Sequence, residues 1–71
     1  MEKDIKIAVI GLGYVGLPLF CLISKHFTCI GLDNDSSRIN LLKEGIDNRE
    51  CEKRRNIIFA LQRGVFTSLY S

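Results

Sequence analysis

Three glycines near the start of the chain have the spacing of a phosphate-binding turn. Gly11, Gly13 and Gly16 form a GxGxxG pattern between two apolar segments. In such a turn the first glycine permits a tight reversal, the second leaves room for a pyrophosphate against the backbone, and the third lets the following helix pack closely. The amides of residues 12–15 are expected to face the phosphates at a helix N-terminus, where the partial charge is positive. The predicted cofactor-binding residues of this turn are Gly11, Leu12, Gly13, Tyr14, Val15 and Gly16.

An acidic residue follows where a ribose would lie. Asp33 comes about twenty residues after the middle glycine, at the end of a short segment rich in strand-forming residues. A carboxylate there accepts hydrogen bonds from both ribose hydroxyls of NAD and repels the 2′-phosphate of NADP. We therefore predict NAD as the cofactor, preferred over NADP about tenfold or more. Arg38, on the next helix, is the residue that could instead neutralise a 2′-phosphate.

These residues require a strand before the turn, a helix after it and a second strand ending at the acid. The alternation of apolar runs with capping and turn residues extends this order to strand, helix, strand, helix, helix, strand. The pattern predicts an α/β fold with a Rossmann-type parallel sheet, one βαβαβ half and a fragment of a three-layer sandwich. The predicted strands are residues 5–10, 27–32 and 65–68, and the predicted helices are residues 14–25, 38–44 and 50–62.

The first predicted helix is apolar on more than one side. Leu19 and Leu22 recur at helical spacing on one side, while Leu17, Phe20 and Cys21 make another side apolar. A helix of this kind is buried on several faces, so part of its covering surface is expected to lie outside this chain or in a partner. We therefore expect marginal stability or self-association, and a homo-oligomer.

Length, charge and cysteine content narrow the class of protein. With 71 residues the chain has room for only half of a dinucleotide-binding fold, so residues 1–71 are predicted to be the N-terminal part of a larger domain. The net charge of +2 and the interrupted apolar run give no indication of a nucleic-acid or membrane partner. The three cysteines lack metal-ligand spacing, so no metal site is expected. Reduced, buried thiols fit a cytoplasmic location.

Beyond the glycines, a longer stretch resembles a known family. Residues 6–19, KIAVIGLGYVGLPL, are similar to the opening of the UDP-glucose/GDP-mannose dehydrogenases, which oxidise nucleotide sugars to uronic acids. The likeness continues through residues 30–47, IGLDNDSSRINLLKEGID, and the VFTS of the third strand. By this resemblance the glycine turn binds the pyrophosphate, Asp33 binds the ribose and Arg38 lies near the adenosine.

The same resemblance implies a reaction that this chain alone does not perform. In that family NAD oxidises a sugar primary alcohol to a carboxylate in two steps, with a cysteine nucleophile assisted by a lysine and an asparagine far downstream. No catalytic residue is therefore assigned here, the nucleotide sugar is expected to bind elsewhere, and the chain alone is expected to be inactive. The alternative is a non-catalytic dinucleotide-binding sensor or regulatory module, because a fold does not fix a function.

Overall fold

The computed structural model describes residues 5–69; the predicted polar lead-in at residues 1–4 lies outside this range. It contains three strands and three helices in the predicted order, although several boundaries differ from the prediction. The elements are β1 Lys6–Ile10, α1 Gly16–Ile23, β2 Thr28–Asp33, α2 Ser36–Lys43, α3 Arg54–Ala60 and β3 Gly64–Ser68. The outline predicted from periodicity is confirmed.

The three strands form one parallel sheet in the order β1-β2-β3. Val9 of β1 is aligned with Gly31 of β2, which is aligned in turn with Phe66 of β3. Each parallel connection passes through helical residues, as a crossover between parallel strands requires. This arrangement confirms the predicted βαβαβ half of a Rossmann-type fold and brings the ends of β1 and β2 side by side.

One face of the sheet carries the core. Val9, Cys29 and Phe66 are buried there against residues from all three helices, and the Phe20 and Phe66 rings lie 4.5 Å apart between centroids. The alternate positions of the strands point the other way, where Ile10 is 71% exposed and Val65 is 54% exposed. Within residues 5–69, therefore, the helices cover one face and leave an apolar face open.

The first two helices follow the prediction with changed ends. The helix predicted from residue 14 begins at Gly16, because Tyr14 and Val15 belong to the turn. Asp35 caps α2 by accepting a hydrogen bond from the amide of Arg38. At its other end the amides of Gly45 and Ile46 donate to the carbonyls of Leu42 and Leu41. This is a Schellman ending, in which Gly45 is the left-handed residue that stops the helix.

The third helix begins four residues later than predicted. Its expected first residue, Glu50, has a φ of 55° and cannot lie in a right-handed helix. The Asp47 carboxylate accepts hydrogen bonds from the amides of Arg49, Cys51 and Glu52, which fold this segment into a loop. The prediction was wrong here because Asp47 captured the amides that a helical first turn would have left free.

Candidate functional site

A pocket opens where β1 and β2 end, between the glycine turn and the start of α2. We call it the Asp33 pocket. It is lined by Ile10, Gly11, Leu12, Gly13, Asp33, Asn34, Asp35, Arg49 and Leu69. The carboxyl ends of parallel strands are the usual place for a ligand in folds of this class. The structure thus brings the turn and the predicted ribose-binding acid to one site.

Two of the three glycines are required by the geometry of the turn. Gly11 has a φ of 90° and its amide donates to the Leu32 carbonyl at 2.7 Å, which continues the β1–β2 ladder into the reversal. A Cβ on Gly16 would overlap the carbonyl oxygen of Gly11 and lie 3.5 Å from Cγ1 of Val9. Helix α1 therefore begins in close contact with the turn, as the spacing of the three glycines predicted.

Gly13 differs from these two glycines because space surrounds it. A Cβ built at this position would meet no atom within 4 Å, and the residue lines the Asp33 pocket. No hydrogen bond within residues 5–69 uses the amide N–H of Gly13, Tyr14 or Val15. Open space beside unbonded amides at a helix N-terminus is the arrangement that a phosphate group fits.

Leu12 does not present its amide as the sequence suggested. Its N–H donates to Oδ2 of Asp33 at 2.9 Å, its carbonyl accepts from Nε of Arg38 at 2.6 Å, and its side chain is fully buried. The expectation of a free Leu12 amide is wrong, because the Asp33 carboxylate accepts the hydrogen bond of this amide. Leu12 instead links the turn to β2 and α2.

Asp33 ends β2 with both carboxylate oxygens engaged by the backbone. Oδ2 accepts from the amide of Leu12 and Oδ1 accepts from the amide of Asp35, each at 2.9 Å. Burial alone would raise the pKa of Asp33, but these two amides, together with the charges of Arg49 and Arg38, hold the pKa below its ordinary value. The group is an anion at neutral pH, and each oxygen keeps a lone pair for a further donor.

The Arg38 side chain lies in the interior of the protein. Its side chain is 0% exposed. The guanidinium donates to the Leu12 carbonyl, to Asp47 at 2.9 Å and to Asn48 at 3.1 Å. Arg38 therefore lies beneath the turn and is not among the residues that line the Asp33 pocket.

Two residues near the site were not singled out from the sequence. Asp47 binds Arg38 and orders the loop that follows it. An Asp-Asn pair just after a helix-ending glycine is a signal for such a turn. Arg49 lines the Asp33 pocket and pairs with Asp35 at 3.4 Å. No local pattern marks Arg49, because its position depends on how the loop folds back over α2.

The cysteines lie apart from the pocket. Cys21 and Cys29 are free thiols in the core, and burial raises the pKa of both, that of Cys21 to about 12. They are therefore protonated and enclosed, as expected for cysteines that serve as small apolar residues. None of the helices described in residues 5–69 has the length and apolar character needed to cross a membrane.

The comparisons with known proteins agree with this geometry. Residues 5–64 match the model of the UDP-glucose/GDP-mannose dehydrogenase family, NAD binding domain. The chain is 52% identical over 46 residues to a UDP-N-acetyl-D-glucosamine 6-dehydrogenase of Pseudomonas aeruginosa, a match that covers 65% of this chain and 11% of that protein. It is 44% identical over 45 residues to a UDP-N-acetyl-D-mannosamine dehydrogenase of Methanococcus vannielii, covering 62% of this chain and 10% of that protein.

A third relative is Protein CapL of Staphylococcus aureus, 49% identical over 41 residues that cover 58% of this chain and 10% of that protein. No solved structure matches the chain. The matched part amounts to about a tenth of the length of these relatives. With the parallel half-fold, the glycine turn and the acid at the end of β2 already described, the family match identifies the chain as a member of the UDP-glucose/GDP-mannose dehydrogenase family, within its NAD binding domain.

Proposed function

We propose that this chain holds the adenosine and pyrophosphate moieties of NAD for a nucleotide-sugar 6-dehydrogenase. The observation that carries the proposal is the meeting of two features in the Asp33 pocket. Unbonded amides and open space at Gly13 suit a pyrophosphate, and an ionised Asp33 beside them suits a ribose. The names of the relatives favour UDP-sugars carrying an N-acetyl group among the substrates of the family.

Each residue of the site has a separate task in this proposal. The amides of Gly13, Tyr14 and Val15 donate to the phosphate oxygens, and the N-terminus of α1 adds favourable partial charge. Asp33 accepts hydrogen bonds from the ribose hydroxyls and repels a 2′-phosphate. When bound, NAD supplies the hydride acceptor for oxidation of the sugar alcohol to the uronic acid.

We also propose that the chain alone performs no turnover. Cys21 and Cys29 are enclosed and protonated, so neither can act as the cysteine nucleophile that the family's reaction requires. Incubation of the pure chain with NAD and UDP-glucose, a UDP-N-acetylhexosamine or GDP-mannose should give no NADH by absorbance. NADH formation above the rate of a heat-treated sample would contradict this proposal.

A glycine variant tests the cofactor site directly. Gly13→Val should leave the fold intact, because the added side chain starts in open space, yet it should block the pyrophosphate and weaken NAD binding at least about tenfold. Because half of a site binds weakly, the measurement is an NMR titration of the isotope-labelled chain with NAD.

A second glycine variant, on the other side of the turn, separates loss of binding from loss of folding. Gly16→Ala should destabilise the fold instead, because its Cβ overlaps the Gly11 carbonyl oxygen. Circular dichroism should therefore show loss of thermal stability for Gly16→Ala and little change for Gly13→Val. Unchanged NAD affinity in a folded Gly13→Val chain would exclude the turn as the pyrophosphate site.

Two further proposals concern the setting in which the protein works. The free thiols support a cytoplasmic location, where cysteines stay reduced. The exposed side chains of Ile10, Tyr14 and Leu22 support self-association or an apolar partner surface. Sedimentation of the chain over a range of concentrations should show association, and a concentration-independent monomer would contradict it.

The competing class is a sensor or regulatory module that binds NAD without chemistry. Both classes predict the same titration result, since they share the turn. Sequencing the gene beyond residue 71 separates them. A downstream cysteine within a sugar-binding domain would favour the dehydrogenase, and a DNA-binding or transporter segment would favour the sensor.

A further inference from the structure

A buried arginine lies directly beneath the turn. The Arg38 guanidinium has no exposed surface, and three of its nitrogens have partners. Nε donates to the Leu12 carbonyl at 2.6 Å, Nη1 donates to Asp47 and Asn48, and Nη2 lies 3.8 Å from Sγ of Cys51. A buried charge persists only when it is paired and hydrogen-bonded, and this one is both.

The bond to Leu12 determines the direction of the next amide. The carbonyl of Leu12 and the N–H of Gly13 belong to one peptide unit, and no cis peptide occurs within residues 5–69. In a trans peptide these two bonds point in opposite directions. Since Arg38 holds the carbonyl inward, the Gly13 N–H is directed away from Arg38, and Gly13 itself lines the Asp33 pocket.

The preceding peptide, between Gly11 and Leu12, is held by a different residue. The Leu12 N–H is held by Asp33 at 2.9 Å, so Leu12 is bonded on both of its backbone polar groups. The two bonds differ in consequence. The Asp33 bond occupies the Leu12 amide, whereas the Arg38 bond occupies only the carbonyl of the next peptide, whose amide at Gly13 has no partner within residues 5–69.

Asp47 fixes the arginine in turn. Its side chain is 2% exposed, and its carboxylate accepts from Nη1 of Arg38 and from the amides of Arg49, Cys51 and Glu52. A carboxylate with four donors is held in place by them, and it in turn holds the guanidinium with which it pairs.

We propose that Arg38 and Asp47 are positioning residues that present the Gly13 amide to the pyrophosphate of the dinucleotide. This rests on the proposed NAD site and deepens it. In this proposal Arg38 acts on the pyrophosphate through the Leu12–Gly13 peptide.

The test compares ligands with and without a pyrophosphate. The labelled chain is titrated with ADP-ribose and with adenosine, and NMR reports the affinities and the Gly13 amide signal. Arg38→Lys keeps the charge for Asp47 but lacks the fork that reaches Leu12. It should weaken ADP-ribose about tenfold, leave adenosine within about twofold and move the Gly13 amide signal in the free protein. Arg55→Lys, at an exposed position of α3, is the matched control and should change none of these.

Each outcome supports or overturns the proposal. Equal losses for both ligands, or an unmoved Gly13 signal, would mean that the pair is only structural. If the wild-type chain fails to bind ADP-ribose, the proposed NAD site fails and this inference fails with it. If wild type binds and Arg38→Lys binds equally well, this inference alone fails. Should Arg38→Lys unfold, Asn48→Ala removes one acceptor of the same guanidinium at an exposed residue and should show the same selectivity at about threefold.

Discussion

Two arginine–aspartate pairs flank the Asp33 pocket, and they differ in almost every physical respect. Arg38 and Asp47 lie beneath the turn, 2.9 Å apart, with side chains 0% and 2% exposed. Arg49 and Asp35 lie at the mouth of the pocket, 3.4 Å apart, with side chains 44% and 42% exposed. An exposed pair contributes about 0–1 kcal/mol and is screened by salt, whereas loss of one partner from a buried pair leaves an unpaired charge. The buried pair can fix the geometry of the glycine turn, whereas the exposed pair can move to accommodate a ligand.

The largest expected effect comes from removing the buried arginine. Arg38→Ala should lower the free energy of unfolding by about 3–5 kcal/mol, because Asp47 is left without its charge partner and Leu12 without its donor. Arg49→Ala should change it by less than about 1 kcal/mol. Urea unfolding at neutral pH measures both. Similar effects for the two variants would remove the distinction between the pairs.

A smaller effect is expected on the choice between NAD and NADP, and it involves Arg49 of the exposed pair. Asp33→Ser should narrow or reverse the preference for NAD over NADP, which we expect to be about tenfold or more, that is at least about 1.4 kcal/mol. Because Arg38 is buried and each of its three nitrogens has a partner, the cation expected to meet a 2′-phosphate is Arg49, which lines the pocket.

The double variant Asp33→Ser/Arg49→Ala should therefore lose the NADP binding gained in the single variant. Competition titrations with NAD and NADP give the ratio for each chain. An unmodified chain that binds both cofactors equally, or no change on Asp33→Ser, would show that the ribose assignment is wrong.

The last prediction concerns acid. Burial alone would raise the pKa of Asp47, but the Arg38 hydrogen bond and three backbone amides hold the pKa below its ordinary value, and Asp33 is lowered as described above. A lowered folded-state pKa means that the unfolded chain binds more protons, so this stability is complete above about pH 4 and is lost as the pH falls through the folded values.

Urea unfolding at neutral and acidic pH should therefore show a loss of stability below about pH 4, and the loss should be smaller for Asp47→Asn, which has no carboxyl to protonate. An acid dependence that Asp47→Asn does not reduce would mean that this carboxyl is not the responsible group.

The sequence predicted those parts of the site that depend on neighbouring residues along the chain. A β-branched run, three spaced glycines and an acid ending the next strand determine the turn and Asp33 almost locally. The beginning of α3 was missed because Glu50, Lys53 and Arg54 are good helix formers, and their propensity gave no sign of the φ imposed at Glu50.

The burial of Arg38 could not be read from the sequence for a different reason. Arginine is usually exposed, and only the fold brings Leu12, Asp47 and Asn48 around this guanidinium from both directions along the chain. The free amide expected at Leu12 failed in the same way, because its acceptor lies 21 positions further along the chain. Contacts between distant segments decide which polar groups remain available to a ligand.

The division of amides within the turn has a kinetic consequence. Gly11 and Leu12 donate to the Leu32 carbonyl and the Asp33 carboxylate, so their hydrogens should exchange with deuterated water only when this part of the sheet opens. One residue further on, the Gly13 hydrogen has no bond to break within residues 5–69. Adjacent residues should therefore exchange on very different timescales, and a bound dinucleotide should slow Gly13 while leaving Gly11 almost unchanged.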